Sequence, residues 1–368
     1  MRFLPFVALV LLCSAAFAAD VSFEGSLEAD YGNYLEKDFK VNNAANHDLR
    51  LKMNIDLDEN VRAVVGTASK SMIPGGDFSR IRHSILRNEA TPISSDEDRW
   101  TPFVFDGISL EWTVSRDLTF IFGDLFYSFG AFNYYYWRNP DYNAAVLTTQ
   151  GMRGLGVRFG SEGYLYVGAS DANDKSGRIA ASYAIPIPGL NQVNNKFTIA
   201  PMLDLNKGGG RDHRYTFGID ANYSRSHTEL NYAIRGMWGI HPRHGSYVNT
   251  FTVEPSFNYN SFNLASTCYF ALLSDTDEGK DPLTVNETYA SDERLIYVEP
   301  SYSFNRKFSL GFGFEWHKPG SDTEDWFLLA PTGYIYPTAG MALSFWLGYT
   351  IKEGYNNPGF GISSSVQF

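Results

Sequence analysis

The sequence predicts an all-β fold: a single closed antiparallel transmembrane β-barrel of about 18 strands, or about 16 if weak segments such as 163–170 merge. Three observations carry this expectation. Apolar and polar residues alternate with a period of two along nearly the whole chain, which a strand sorts onto opposite faces and a helix would scatter. The polar parity is small or charged, whereas the other is heavily aromatic, and the aromatic fraction of the chain is 16%. Connections alternate between tight turns and long segments, the rim asymmetry of a membrane barrel. No internal stretch approaches the length of apolar chain that a membrane helix needs, so helical spans are excluded. A sheet in lipid must close, because every backbone group has to pair. The competing reading is a soluble sheet with one face in water. Against it stand the uniform template and the lack of any domain break.

Residues 1–18 read as a secretory signal peptide. Arg2 supplies the positive start, Phe3 to Leu12 the apolar run, and Ala16-Phe17-Ala18 an A-x-A cleavage site. The barrel then occupies 19–368. Its first strand, near 20–31, places Val21, Phe23, Leu27, Ala29 and Tyr31 against Ser22, Glu24, Ser26, Glu28 and Asp30. The second, 47–57, places Leu49, Leu51, Met53, Ile55 and Leu57 against Asp48, Arg50, Lys52, Asn54 and Asp56. Segments at 61–70, 103–114, 117–126, 152–160, 163–170, 177–186 and 196–205 continue the rhythm. It is sharp again at 213–224, where Tyr215, Phe217, Ile219, Ala221 and Tyr223 alternate with Thr216, Gly218, Asp220 and Asn222. Strands at 227–239, 247–259, 262–273, 293–304, 308–317, 325–335 and 340–351 follow, with Trp346 off its expected parity. The last, 359–368, ends on Phe368. Long loops are expected at about 32–46, 71–102, 127–150, 274–292, 317–325 and 352–358.

With the apolar parity outward, the lumen receives Glu24, Glu28, Asp30, Asp48, Arg50, Lys52, Arg158, Arg214, Asp220, Glu229, Arg235, Glu254, Glu299 and Glu315. Unpaired charges in a dry core would cost several kcal/mol each. A cylinder of this many strands is too wide for side chains alone to fill, so a water-filled channel is the simpler account. Arg153 and Arg158 fall on the strand after the third long loop. They either face that loop across the lumen or pair with acidic neighbours.

Other functions are excluded or disfavoured. Without Arg2, the 30 Lys and Arg become 29 against 41 Asp and Glu, a formal charge of −12. That is the wrong sign for a nucleic-acid partner. Cys268 is the lone cysteine beyond the signal segment, so no internal disulfide forms. There is no G-x-S-x-G elbow, the seven His are scattered, and "NKGGGRD" lacks the ending of a phosphate loop. No enzyme activity, metal or cofactor is expected.

The terminal strand carries Phe360, Ile362, Val366 and Phe368 on one parity. Together with the signal segment and the strand rhythm, it resembles the Gram-negative outer-membrane β-barrels of the porin-like superfamily. The resemblance implies an outer-membrane address with both termini periplasmic and the long loops extracellular. It implies contact with outer-membrane lipid, reading of the last strand by the barrel-assembly machinery, and a homotrimer. It also implies passive diffusion of ions or small hydrophilic solutes, sugars included. In such porins the loop after the fifth strand folds inward and narrows the pore. Carried over, Tyr134, Tyr135, Tyr136, Trp137, Arg138 and Asp141 lie near the constriction, where rings stack on solutes and a charge pair sets a transverse field. The same rings fit an interfacial girdle or a loop packed on itself. The alternative function is a non-conducting surface barrel serving as adhesin, polymer-binding or envelope scaffold protein.

Overall fold

The computed structural model describes residues 20–35, 41–73, 104–129, 134, 148–160, 162–169, 177–191, 193–207, 214–243, 246–273, 293–318, 325–352 and 355–368. They form one antiparallel sheet. Its first half comprises β1 (Asp20–Leu35), β2 (Val41–Asp58), β3 (Val61–Ile73), β4 (Val104–Ser115), β5 (Leu118–Phe129), β6 (Thr148–Phe159), β7 (Gly163–Ala169), β8 (Gly177–Ser182) and β9 (Ile185–Pro186). The second half comprises β10 (Asn195–Lys207), β11 (Arg214–Ser226), β12 (Leu230–Arg243), β13 (Ser246–Tyr259), β14 (Phe262–Leu273), β15 (Glu293–Asn305), β16 (Phe308–Lys318), β17 (Trp326–Thr338), β18 (Met341–Lys352) and β19 (Tyr355–Gln367).

Both β8 and β9 pair with β10 in one register, Met202 opposite Ser182 and Ile199 opposite Ile185. They are one strand interrupted at 183–184. The 19 segments are therefore eighteen strands, each antiparallel to the next. An even number brings both ends of the sheet to the same rim. There β19 pairs with β1 from Ser26 opposite Gln367 to Tyr34 opposite Gly359. The Gly25 N–H donates to the Phe368 carbonyl at 2.8 Å, and the Phe368 N–H donates back at 3.1 Å. Closure leaves no edge to attract another chain.

Tight turns gather on the rim that holds the termini. Asp58 Oδ1 accepts the Glu59 N–H at 2.7 Å, Asn305 Oδ1 accepts the Lys307 N–H at 2.8 Å, and Asn260 adopts a φ of 52°. These are turn residues used for their short polar side chains and tolerance of left-handed backbone. Register shifts precede the turns after Asp56, Thr113, Ser303 and Ile335, as bulges do at barrel rims.

Phe217, Phe251, Phe312 and Leu347 stand exposed outside the ring, while Thr267, Glu254 and Glu315 are buried within it. An exterior of exposed large apolar side chains suits lipid and would be untenable in water. Rings cluster outside near the tight turns. Phe304 stacks on Phe308 at 5.5 Å, Phe159 meets Tyr183 at 5.5 Å, and Tyr223 meets Tyr232 at 5.9 Å. That is the aromatic girdle of a bilayer interface.

Two readings need correction. Strands run further than expected: β1 reaches Leu35 and β2 begins at Val41, inside the expected loop 32–46. Above the lipid a strand needs no apolar parity, so alternation fades before the pairing does. The inner face is also not wholly ionic. Met202, Met237, Val248, Tyr269, Ala271, Leu295 and Tyr297 form one buried cluster there, and Ile121, Leu125, Tyr127, Met152, Tyr166 and Ala180 form another.

Candidate functional site

The lumen is the one place where charged side chains converge from many strands. On the β1–β6 wall, Lys52 Nζ lies 3.4 Å from Glu24 Oε2, and Asn54 Nδ2 donates to Glu24 Oε1 at 2.9 Å. Arg62 pairs with Asp56 at 2.6 Å, and Arg158 pairs with Glu111 at 2.9 Å. The first two ion pairs come from adjacent strands, the natural partners on one face of a sheet, whereas Arg158 on β6 reaches past β5 to Glu111 on β4. Most are substantially exposed, as in a hydrated wall. A cavity of about 650 Å³ opens against them, lined by Glu24, Lys52, Glu111, Arg158 and Tyr166 among others.

Further round, the packing is drier. Arg178 binds Asp204 with two bonds, Nε to Oδ1 at 2.9 Å and Nη2 to Oδ2 at 2.5 Å. Tyr127 donates to the same carboxylate at 3.0 Å, and its ring lies 5.4 Å from the guanidinium. All three are buried, so the bidentate pair satisfies charges that could not stand alone.

The β11–β17 wall is acidic. Arg235 binds Asp220 through Nε at 2.8 Å and Nη2 at 2.6 Å, with Nη1 3.9 Å from Glu254. Thr267 donates to Glu254 at 2.8 Å. Tyr297 and Tyr334 both donate to Glu299. His317 Nε2 lies 3.0 Å from Glu293 and Nδ1 lies 3.9 Å from Glu315, with its ring against Trp326 at 5.0 Å. Asp220, Glu254, Glu293, Glu299 and Glu315 share this wall with Arg235. Below them, towards the tight turns, lies a cavity of about 660 Å³ lined largely by Ser and Asn, with Glu299, Tyr334 and Tyr134 at its inner end.

Tyr134 belongs to the segment between β5 and β6, yet it lies inside the ring. It packs on the cluster of Met202, Tyr269, Leu295 and Tyr297, and its N–H donates to Glu254 Oε1 at 3.3 Å. The remaining candidates of that segment, Tyr135, Tyr136, Trp137, Arg138 and Asp141, lie outside the described residues. For Asp48 and Arg214 only register is described: they stand opposite Glu28 and Asn206. Glu229 sits exposed in the turn before β12, at the mouth rather than on the wall. Arg158 faces the lumen.

Arg153 lies on the opposite parity of the same strand, that of exposed Leu155, and pairs with an acidic neighbour, the second of its two expected roles. Its partner is Asp124, bound through Nε at 2.7 Å and Nη2 at 3.1 Å. Sequence reasoning missed the inward tyrosines Tyr269, Tyr297 and Tyr334, the Arg178–Asp204 pair, and His317 with Glu293. The tyrosines share a parity with Thr267, Glu299 and Thr332, which is the signal that could have found them.

Trp346 also points inward, over a floor of glycine. A Cβ added to Gly361 would sit 2.3 Å from the indole, and one added to Gly348 would sit 2.9 Å from it. Among the described residues no group of three or more His, Cys, Asp or Glu converges to hold a metal.

No protein-family profile matches the chain, and no curated protein sequence matches it significantly. Solved structures do. A BenF-like porin from Pseudomonas fluorescens superposes with a TM-score of 0.54 at 10% identity, over 95% of this chain and 99% of that one. The outer membrane protein opdK from Pseudomonas aeruginosa gives 0.53 at 10% identity, over 95% and 98%. OccK9 (OpdG) from the same organism gives 0.56 at 11% identity, over 95% and 99%. At these identities the likeness is one of fold: the closed eighteen-stranded antiparallel barrel of this chain superposes on those outer-membrane channels' structures along nearly their whole length.

Proposed function

We propose that this protein is a passive diffusion channel of a Gram-negative outer membrane, with both termini periplasmic, for ions and small hydrophilic solutes, sugars among them. The observation that carries the reading is the exposed, ion-paired inner wall on β1–β6. Two polar cavities, of about 660 and 650 Å³, remain beside it. A dry barrel would instead fill its centre with interlocked side chains. Tyr134 supports a narrowing by the segment after β5, in which the rings of Tyr135, Tyr136 and Trp137 meet solute beside Arg138 and Asp141. Residues 1–18 serve as the export signal. Phe360, Ile362, Val366 and Phe368 present the last strand to the assembly machinery and then to lipid, and the barrels assemble as homotrimers.

Purified protein in planar bilayers tests this. Stable conductance steps are expected, interrupted by an added sugar, and Trp137→Ala should shorten those interruptions. Folded protein that gives no steps would overturn the channel and leave the surface-barrel reading, to which the apolar packing round Tyr134 lends its own support.

A further inference from the structure

The two lumenal cavities have nearly equal volumes and different linings. The one beside β1–β6, of about 650 Å³, is lined by Glu24, Arg50, Lys52, Glu111 and Arg158 among others. In the one near the tight turns, of about 660 Å³, Glu299 and Arg306 are the only charged residues among the described lining. Arg306 stands exposed at the rim, in the turn after β15. Glu299 is buried at the inner end, where Tyr297 and Tyr334 both donate to it. The lining between these two charges is neutral.

Strand register builds that neutral lining. Asn258, Asn263, Ser301 and Gly311 stand opposite one another in a row across β13–β16. The next row towards the turns holds Ser303, Ser309 and Tyr334. Asn263 Nδ2 reaches Ser303 Oγ at 3.4 Å, and Ser303 and Ser309 share a hydrogen bond of 3.1 Å. Among the described residues the side chains of Ser256, Asn258 and Ser301 bond to no other side chain, which leaves their amide and hydroxyl groups to the cavity. Gly311 supplies room. A Cβ there would stand 2.6 Å from Glu299 Oε1 and 3.2 Å from the Tyr334 ring, so the bare strand is what lets that ring lean across it. Tyr134 and Tyr336 add two more rings.

These groups discriminate between classes of solute. An anion meets the Glu299 carboxylate, and the cation of the lining stands away at the rim. A cation meets a carboxylate already committed to two phenol donors. An apolar solute would strip water from amides and hydroxyls without replacing its bonds. A ring bearing several hydroxyls satisfies them, because each hydroxyl both donates and accepts. Its C–H face packs on a tyrosine ring, which is apolar on its face and polar at its tip. The volume falls within the range of about 300–1,000 Å³ usual for small-molecule sites.

We infer that this cavity is a binding site for an uncharged saccharide, held at the tight-turn mouth of the lumen by Asn258, Asn263, Ser301 and the Tyr334 ring. The inference rests on the hydrated lumen of the channel reading and adds to it a place and a ligand class. The place is the wall of β13–β17, distinct from the rings of Tyr135, Tyr136 and Trp137. The class is a neutral sugar, with the corresponding sugar acid refused.

Glucose and glucuronate test this in planar bilayers, since they share one ring and differ by a carboxylate. Glucose should lower the mean KCl conductance saturably, and half-block should need about tenfold more glucuronate, the ratio for 1.4 kcal/mol. Asn258→Ala combined with Asn263→Ala removes two amides and should raise the half-blocking glucose concentration about tenfold. Glucose block unchanged by that double variant, or equal block by the two sugars, would overturn the site, and persisting KCl steps would spare the channel. Folded protein without KCl steps would overturn the channel instead. Equilibrium dialysis of labelled glucose against the folded barrel then decides the site alone: saturable binding weakened by the double variant sustains it, and no binding overturns it.

Discussion

Glu254 is buried to 1% in the inner wall, and its neighbours account for that. Thr267 donates to it, Arg235 stands 3.9 Å away, and the Tyr134 N–H reaches it at 3.3 Å. It therefore ties the wall to the segment that enters the lumen. Glu254→Gln keeps an acceptor for Thr267 and Tyr134 and removes only the charge, so the barrel should fold normally. Glu254→Leu removes the acceptor, at about 1.5–3 kcal/mol for a hydrogen bond to a charged group. A lower midpoint in a urea titration and noisier open-channel current are expected for Leu and not for Gln; equal behaviour would remove the anchor. Gly361 offers a second case. Gly361→Ala places a methyl 2.3 Å from Trp346, so the indole must swing into the lumen. Quenching of tryptophan fluorescence by acrylamide should rise and conductance should fall. Parity made the inward place of Glu254 legible, because Thr252 and Ser256 flank it on the same face. Its bond to Tyr134 was not legible, since alternation says which way a side chain points and not which loop comes to meet it. For Arg153 the sequence left two roles open, and only the register that sets it opposite Asp124 selects the ion pair.

At the scale of the element, the end of β19 closes the ring. Phe368 exchanges two backbone bonds with Gly25, and its ring lies where a Cβ on Gly25 would be 2.6 Å away. The glycine is thus a seat for the terminal aromatic. Phe368→Ser keeps the backbone bonds and loses the ring; deletion of Phe368 loses both. Refolding into vesicles, followed by the shift in gel mobility between folded and heated barrel, should be impaired by the substitution and more so by the deletion. Full-rate folding of the deletion would show that this seat does not matter for closure. The strands crossing the lipid were legible because two solvents, oil outside and water inside, act on alternate residues. Their far ends were not, because above the lipid both faces meet water and the contrast disappears. The interruption of β8 from β9 was equally hidden. Pro186 has no N–H to give the ladder, yet the register with β10 runs through the gap, so the sequence pattern alone reads one strand.

For the whole molecule, the fold follows from a single partition of side chains, and the lumen's electrostatics follow from what that partition leaves inside. On the β1–β6 wall, Lys52 and Glu24, Arg62 and Asp56, and Arg158 and Glu111 cancel in pairs. Arg178 cancels Asp204. On the β11–β17 wall Glu293, Glu299 and Glu315 stand with Asp220 and Glu254 beside Arg235, and acid predominates among the inward side chains described there. Charge lining a low-dielectric cylinder focuses the field and raises the local concentration of counter-ions. A solute crossing between the walls meets a net negative surface on one side and a neutral one on the other. Under a KCl gradient the reversal potential should therefore indicate cation preference, several-fold in permeability and weakening as salt rises, because screening shortens the reach of the wall to about 8 Å at 0.15 M. Glu299→Gln combined with Glu315→Gln should move the ratio towards unity. The matched control, Glu24→Gln with Lys52→Gln, removes a balanced pair and should leave it nearly unchanged. Anion preference in the unmodified barrel, or equal effects of the two double variants, would mean that this wall does not set the field.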